Sequence, residues 1–182
     1  QFMPAVRNKF WDGKIRLFNA QTKKIYSGLL PHVQKFCDER DYNLEIDPAY
    51  ADDEFSLQEA KQFANTLDLP FEIRDYQLDA FAHAIKKKRA LMLSPTASGK
   101  SLIIYLLAAY LNKKTLIVVP TISLVQQMAG DFKSYGYQGD PHMITAGVEK
   151  ETDNPITIRT WQSIHKMPKK WFEQFDVVIG DE

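Results

Sequence analysis

A Gly-Lys-Ser tripeptide, which runs from Gly99 to Ser101, is the part of this sequence with the clearest chemical meaning. A short apolar run at residues 90–93 precedes the loop at residues 94–99, and a long apolar run at residues 102–111 follows it. A strand, a loop and a helix in this order direct backbone N–H groups and the positive end of the helix toward one point, where phosphates bind. The sequence therefore predicts a phosphate-binding loop, or P-loop, for a nucleotide.

The residues of this loop have separate expected roles. Lys100 is expected to reach the terminal phosphates, and the hydroxyl of Ser101 is expected to bind Mg²⁺. The backbone around the phosphates is expected to come from Thr96, Ala97, Ser98 and Gly99. Ser94 stands where the full motif has its first glycine, so the assignment depends on the strand and helix around the tripeptide.

Two carboxylates follow an apolar run at residues 177–179 and Gly180, near the end of the sequence. In phosphoryl transfer one acid holds the magnesium shell, and a second polar group orients the attacking water. We assign the first task to Asp181 and the second to Glu182. The alternative is a solvated strand end, which the P-loop upstream makes the weaker interpretation.

Helix and strand patterns alternate from Phe71 onward, which predicts an α/β fold with a parallel sheet covered by helices on both faces. The expected strands lie at residues 90–93, 115–119, 143–146, 156–160 and 177–179. Ligands bind beyond the carboxyl ends of such strands. The P-loop, Thr121, Thr160 and Asp181 each lie at the carboxyl end of an expected strand, which indicates a site at this edge.

Residues 1–68 read as a small α+β domain, and we place the boundary to a second domain, residues 69–182, at Leu69 and Pro70. Strands are expected at residues 14–18, 25–30 and 42–46, and a helix is expected after Pro31. A capping box, Ser56 with Glu59, predicts the start of another helix.

The charges are unevenly distributed although the net charge is zero. Residues 1–24 carry Arg7, Lys9, Lys14, Arg16, Lys23 and Lys24 against Asp12 alone. Alternation along the predicted strand places Lys14 and Arg16 on one side, where they are expected to contact a nucleic-acid backbone. The alternative is that they are ordinary solvated strand residues. A second basic run, residues 86–89, is interpreted as a solvated helix end.

The composition excludes several classes of protein. The single cysteine, Cys37, excludes an internal disulfide and fits a reducing compartment. The four histidines have no metal-ligand spacing. No apolar run approaches the ~20 residues that span a membrane, and no signal-peptide pattern is present. We therefore expect a cytoplasmic protein without a membrane partner.

Taken together, these motifs resemble those of the superfamily 2 helicases. Residues 94–101 resemble motif I, and Asp181 with Glu182 resembles the start of the DEAD/DExH box. Three further stretches resemble motif Ia, the Thr-Trp-Gln-Ser stretch and the glutamine motif, at residues 119–127, 159–163 and 74–77 respectively. Ala97 departs from motif I, where glycine is frequent, and alanine tolerates positive φ poorly. We therefore expect modest nucleotide affinity.

The resemblance implies a RecA-like fold, ATP and Mg²⁺ as cofactors, and DNA as a partner. It implies that Thr121 touches the DNA backbone, that Thr160 lies in the DNA-binding region and that Gln77 reads the adenine edge. The last role is chemically reasonable, because a glutamine amide pairs bidentately with adenine N6 and N7.

Four other stretches, at residues 11–17, 35–38, 46–48 and 169–172, resemble phage members of this superfamily. Those members act on forks, junctions and R-loops in recombination and repair. This implies the N-terminal part of such a helicase, in the cytoplasm of a bacterial host and inactive in unwinding by itself. The partner domain would be a second RecA-like domain of the same chain, whose arginine contributes about 10³–10⁵ in rate.

Two other functions remain open from the residues alone. One is a kinase or another soluble ATPase acting on a small molecule, which ATPase stimulation by single-stranded DNA would exclude. The other is a DNA-binding adaptor whose P-loop only holds phosphate, which Mg²⁺-dependent ATP binding would exclude.

Overall fold

The computed structural model describes residue 10, residues 12–143 and residues 154–181 of the chain. It forms two compact units, of which the first ends at Ala51 and the second begins at Asp52. Among the residues described, no helix is long and apolar enough to cross a membrane.

The first unit contains a short antiparallel ribbon and one α-helix. Strand β1 (Phe18–Asn19) pairs with strand β2 (Lys24–Ile25). The turn between them is capped by Asn19, whose Oδ1 accepts hydrogen bonds from two backbone N–H groups, each at 3.0 Å. A 3₁₀ turn (Ser27–Leu29) leads into α1 (Leu30–Asp38), and a second 3₁₀ turn (Pro48–Tyr50) follows. Pro31 lies in the first turn of α1, as expected.

The strands predicted for this unit are mostly wrong. Residues 14–17 and 42–46 form no strand, and residues 27–30 turn into helices instead of extending β2. Ile15, expected to face inward, is 77% exposed. The reason is that Cys37 is the one buried side chain in the described part of this unit, so no second layer covers an alternating strand.

The second unit is built on a parallel four-stranded sheet in the order β4-β5-β3-β6. Its strands are β3 (Thr115–Val119), β4 (His142–Met143), β5 (Ile156–Thr160) and β6 (Val177–Gly180). Val119 is in register with Thr160, and Val118 with Gly180, so the carboxyl ends of three strands lie at one edge. Residues 144–146 of the strand expected at residues 143–146 lie outside the described residues.

Helices cover both faces of this sheet, as predicted. The helices are α2 (Leu57–Asn65), α3 (Asp75–Lys87), α4 (Lys100–Leu111), α5 (Ile122–Ser134), α6 (Trp161–Ile164) and α7 (Lys169–Phe172). Helices α2 to α5 share one core with Ile117 and Val119 of β3. Leu116, which precedes Ile117 and points to the other face of the sheet, packs with Ile164 and Trp171. Successive side chains of a strand point to opposite faces, so β3 joins the two cores.

The domain boundary differs from the one expected between residues 68 and 69. Helix α2 lies in the second unit, where the ring of Phe63 is 5.8 Å from that of Phe81 on α3. The same ring is 5.0 Å from that of Tyr110 on α4. Helix α2 packs against the helices of the sheet, because its apolar face matches theirs.

The predicted strand at residues 90–93 is not formed. Leu91 and Leu93 are 89% and 91% exposed, and the segment forms no ladder with β6. An apolar run becomes a strand only where a neighbouring strand and covering side chains meet it. The loop and the helix after it form as predicted.

Candidate functional site

The P-loop ends in a left-handed backbone conformation at the start of α4. Gly99, the residue before the helix, has a φ of 79°, and Ala97 has a φ of 62°. Left-handed residues at the start of a helix turn successive N–H groups toward one side, which makes an anion-binding concavity. Alanine at positive φ is strained by roughly 1–2 kcal/mol. The expectation that alanine here imposes a cost therefore has a structural basis.

A pair of hydrogen bonds anchors this loop to the start of α3. The backbone carbonyl of Ser98 accepts one bond from Gln77 Nε2 at 3.0 Å and one from the Tyr76 hydroxyl at 2.9 Å. The Ser98 side chain is buried, and its hydroxyl is paired with that of Ser94. The serine that replaces the first glycine of the motif thus supports the loop.

Gln77 is engaged by the protein at both ends of its amide. Its Oε1 accepts a hydrogen bond from the Arg74 backbone N–H at 3.0 Å, while its Nε2 donates to Ser98. The side chain is buried. The residue therefore has a positioning role that the sequence did not indicate, and reading of adenine by Gln77 stays a prediction.

One cavity of about 1680 Å³ contains the loop and the end of β6. Its lining includes Thr96, Ala97, Ser98, Lys100 and Asp181, as well as the exposed segment at residues 89–93. The lysine and the carboxylate that the sequence assigned to phosphate and metal thus face the same space. A bound polyphosphate would have a cation and an acid beside it here.

Asp181 is positioned by the pairing of β6 with β3. Its backbone N–H donates to the Val118 carbonyl at 2.8 Å, which continues the ladder one residue past the strand. The side chain is half-buried, so it is accessible to a ligand. Glu182, expected to orient water, lies outside the described residues.

Ser101 lies in the first turn of α4, with its hydroxyl 3.0 Å from the Tyr135 hydroxyl just after α5. Burial raises the pKa of Tyr135, so its phenol stays protonated near neutral pH. A serine hydroxyl and a carboxylate are the hard oxygen donors that suit Mg²⁺, so the residue types fit the predicted metal. Ser101 does not line the cavity wall, whereas Asp181 does.

The two threonines expected at the nucleic-acid edge differ in accessibility. Thr121 is exposed and caps α5, because its Oγ1 accepts from the Leu124 backbone N–H at 3.3 Å and shares a bond with the Ser123 hydroxyl at 2.9 Å. Thr160 ends β5 and is only 8% exposed. The Thr160 side chain therefore has little surface for a direct contact with DNA, and the DNA contacts of both threonines stay predictions.

Lys14 and Arg16 lie in the first unit and are exposed, although the strand that was expected to place them on one side does not form. Arg16 forms an ion pair with Asp12 at 2.5 Å. That hydrogen bond, together with one from the Lys14 backbone N–H, lowers the pKa of Asp12. An exposed pair of this kind contributes little to stability. The guanidinium of Arg16 is thus accessible to an anionic partner.

The basic run at the end of α3 behaves as expected for a helix end. Lys88 forms an ion pair with Asp53 at 2.7 Å, and Lys87 forms one with Asp52. The Asp53 backbone N–H donates to the Lys86 carbonyl at 2.9 Å. These cations are partly neutralised by carboxylates of the same unit.

Arg159 belongs to the Thr-Trp-Gln-Ser stretch but is not part of the cavity. It is 1% exposed, and its guanidinium carbon lies 4.8 Å from the centroid of the Trp171 ring. Burial lowers its pKa to about 10, so it stays charged at neutral pH. A cation over an aromatic face is attracted by the ring quadrupole, and this contact ties β5 to α7.

Two residues of the site were missed by the sequence reasoning, Tyr76 and Tyr135. Tyr76 lies within the stretch quoted for its glutamine, so its neighbourhood was a usable signal. Tyr135 has no motif around it, and its contact with Ser101 depends on the packing of α4 against α5.

The chain resembles known proteins along its whole length. It matches the family described as "Type III restriction enzyme, res subunit" over residues 70–182, and the one described as "DNA helicase UvsW, N-terminal" over residues 1–47. The ATP-dependent DNA helicase uvsW of Enterobacteria phage T4 is 35% identical over 198 residues, which cover 100% of this chain and 39% of that protein. The DNA 3'-5' translocase XPB2 of Sulfurisphaera tokodaii is 32% identical over 167 residues, covering 87% of this chain and 34% of that protein.

Solved structures agree in fold. The crystal structure of the UvsW helicase from bacteriophage T4 superposes with a TM-score of 0.84 at 34% identity, covering 100% of this chain and 70% of that chain. A second T4 UvsW crystal structure superposes with a TM-score of 0.85 at 34% identity, covering 100% of this chain and 40% of that chain. The RecA-like α/β class predicted from the sequence is thereby confirmed, as is the resemblance to phage helicases. The chain spans less than half the length of the curated relatives it matches.

Proposed function

The chain belongs to the family of the type III restriction enzyme res subunit, and from this premise we propose that it binds ATP and DNA as part of an ATP-dependent DNA helicase. The observation that carries the proposal is the cavity in which an anchored P-loop, Lys100 and Asp181 meet. The name of the T4 relative, an ATP-dependent DNA helicase, and that of the archaeal relative, a DNA translocase, support the DNA half of it.

Each candidate residue of the nucleotide site has a defined task in this proposal. The backbone N–H groups of the loop and the Lys100 ammonium bind the β- and γ-phosphates of ATP. Ser101 and Asp181 would supply oxygen ligands to Mg²⁺, and the ion would supply positive charge beside the phosphates. Asp181 is held in place by its bond to Val118, and Glu182 orients the attacking water. Gln77 reads the adenine.

The DNA is proposed to contact two regions. Thr121 is exposed at the carboxyl edge of the sheet, where motif Ia is expected to hold the backbone. Lys14 and Arg16, helped by Lys23 and Lys24, are exposed in the first unit and suited to phosphate contacts. We propose forks, junctions and R-loops as the DNA substrates, in recombination and repair.

Two titrations of the same preparation test the proposal. Calorimetry measures binding of ATP with Mg²⁺, and fluorescence anisotropy measures binding of labelled forked DNA at a fixed ionic strength, because phosphate contacts depend on salt. The proposal predicts both. A protein that binds ATP but does not bind DNA would instead be an ATPase that acts on a small molecule. Binding of DNA without ATP would indicate an adaptor.

Anisotropy with forked, single-stranded and linear duplex DNA of equal length tests the substrate class. A branched substrate is expected to bind more tightly than the linear duplex. Equal affinity for all three would contradict the preference for branched DNA and leave the ATP-dependent function standing.

A further inference from the structure

Tyr76 connects the start of α3 to the P-loop through its hydroxyl. The hydroxyl donates to the Ser98 carbonyl at 2.9 Å and accepts a hydrogen bond from Arg74 Nη1 at 3.1 Å. A donor bond to the phenol oxygen polarises its O–H and strengthens the bond that it donates in turn. The ring lines the same cavity as Lys100.

The carbonyl that Tyr76 holds lies between the two left-handed residues of the loop, Ala97 and Gly99. A peptide bond is planar and trans, so its C=O and the N–H that follows point in opposite directions. Holding the Ser98 carbonyl toward α3 therefore turns the Gly99 N–H away from α3. This fixes the orientation of one donor of the anion-binding concavity.

The loop needs such support because of Ala97. A Cβ makes positive φ unfavourable, whereas glycine adopts it without strain. Gln77 Nε2 makes a second bond to the same carbonyl, so the strained loop is held by two adjacent side chains of α3. The two hydrogen bonds to the carbonyl of residue 98 thus support the loop directly beside the strained residue 97.

We propose that Tyr76 is a positioning residue of the nucleotide site, whose hydroxyl holds the Ser98 carbonyl and so keeps the P-loop in its phosphate-binding conformation. This rests on the proposed function, since the affinity that it supports is that for ATP.

The test is a double-mutant cycle on ATP binding. Tyr76→Phe keeps the ring and removes the hydroxyl, and we expect it to weaken binding of ATP with Mg²⁺ about 2- to 12-fold, the value of one hydrogen bond. Ala97→Gly removes the strain, so in the Tyr76→Phe background it is expected to restore most of the lost affinity. In the wild-type background the same change is expected to have a smaller effect, so the two changes are not additive.

Tyr50→Phe is the matched control. Tyr50 is 59% exposed against 44% for Tyr76, and it lies in the first unit and does not line the cavity that contains the P-loop. We expect its affinity for ATP to equal that of the wild type. Thermal melting of each variant verifies the fold, and a general structural role of Tyr76 would lower the melting temperature without any rescue by Ala97→Gly.

Two results would overturn the inference. The first is an unchanged ATP affinity in Tyr76→Phe while the wild type binds ATP, and this leaves the proposed function intact. The second is that Ala97→Gly changes ATP affinity by the same factor in the wild type and in Tyr76→Phe. No ATP binding by the wild type itself would overturn the proposed function and this inference with it.

Discussion

The side chain of Gln77 lies so close to Gly99 that a Cβ at residue 99 would be 2.3 Å from Gln77 Nε2. The same nitrogen donates to Ser98, and Gly99 itself has a φ of 79°. The left-handed backbone conformation favours glycine at this position, and an added Cβ would also displace the Gln77 amide that holds the loop.

We predict that Gly99→Ala weakens ATP binding by at least about tenfold, because left-handed strain of roughly 1–2 kcal/mol adds to the displacement of Gln77. Calorimetry with ATP and Mg²⁺ measures the change. Gly130→Ala is the control, since a Cβ at this exposed position of α5 meets nothing within 4 Å. That change should leave ATP affinity unaltered and stabilise the fold by about 0.5–1 kcal/mol. Equal ATP affinity in Gly99→Ala and the wild type would contradict the geometry of the loop.

Gln77→Ala separates the two roles of the glutamine. Loss of the bond to Ser98 should weaken ATP and GTP binding alike, by about 2- to 12-fold. Loss of adenine reading should weaken ATP further, because the O6 and N7 of guanine are both acceptors, while adenine N6 and N7 match an amide. We predict that the affinity for ATP relative to GTP falls. A uniform loss with an unchanged ratio would leave the positioning role and remove the adenine contact.

The elements that the sequence predicted well depend on residues near one another in the chain. The capping box forms as expected: the Glu59 backbone N–H donates to Ser56 Oγ at 3.2 Å, and the Ser56 backbone N–H donates to Glu59 Oε2 at 2.7 Å. Helix α4 likewise begins directly after Gly99. Caps and left-handed residues act within one helical turn, so a short stretch of sequence is enough to predict them.

The elements that failed depend on partners distant in the chain. Leu91 and Leu93 have the apolar pattern of a strand, but a strand also needs a neighbour that hydrogen-bonds to it. Ile15 alternates with charged residues and still has no layer to pack against. The apolar pattern of a segment shows which side chains it could bury, and the rest of the fold determines whether they are buried.

The features of the site also divide into those that the sequence predicts and those that depend on distant partners. Lys100 and Asp181 were expected at one edge, because parallel strands place their carboxyl ends together, and they line one cavity. The bond from Tyr76 to Ser98 and that between Tyr135 and Ser101 join separate helices. Neither follows from spacing, since both depend on how α3 and α5 pack against α4.

The basic residues of the first unit give a prediction about salt. Replacing Lys14 and Arg16 together with Ala should flatten the log–log salt dependence of DNA binding by up to about 2 units, since each phosphate contact on duplex contributes about 0.9. The surface ion pair of Arg16 with Asp12 is weak enough to exchange for a phosphate. Anisotropy with a labelled duplex across a salt series measures the slope.

The matched control for this pair is Lys86 and Lys87 replaced with Ala. These cations lie in the last turn of α3, where Lys87 is already paired with Asp52. Their loss should leave the slope unchanged. If instead the slope is unchanged on loss of Lys14 and Arg16, the DNA contacts lie elsewhere, with the edge around Thr121 as the next region to test.

The central claim, that the loop before α4 binds the phosphates of ATP, is tested most directly by calorimetric titration of ATP with Mg²⁺ into the wild type and Lys100→Ala. Lys100 is half-buried at the start of α4 and lines the cavity, so its loss removes a phosphate-binding charge without a core contact. We predict that the wild type binds ATP, and that Lys100→Ala shows no measurable binding with an unchanged melting temperature. Equal ATP affinity in the two proteins would contradict the assignment of the P-loop.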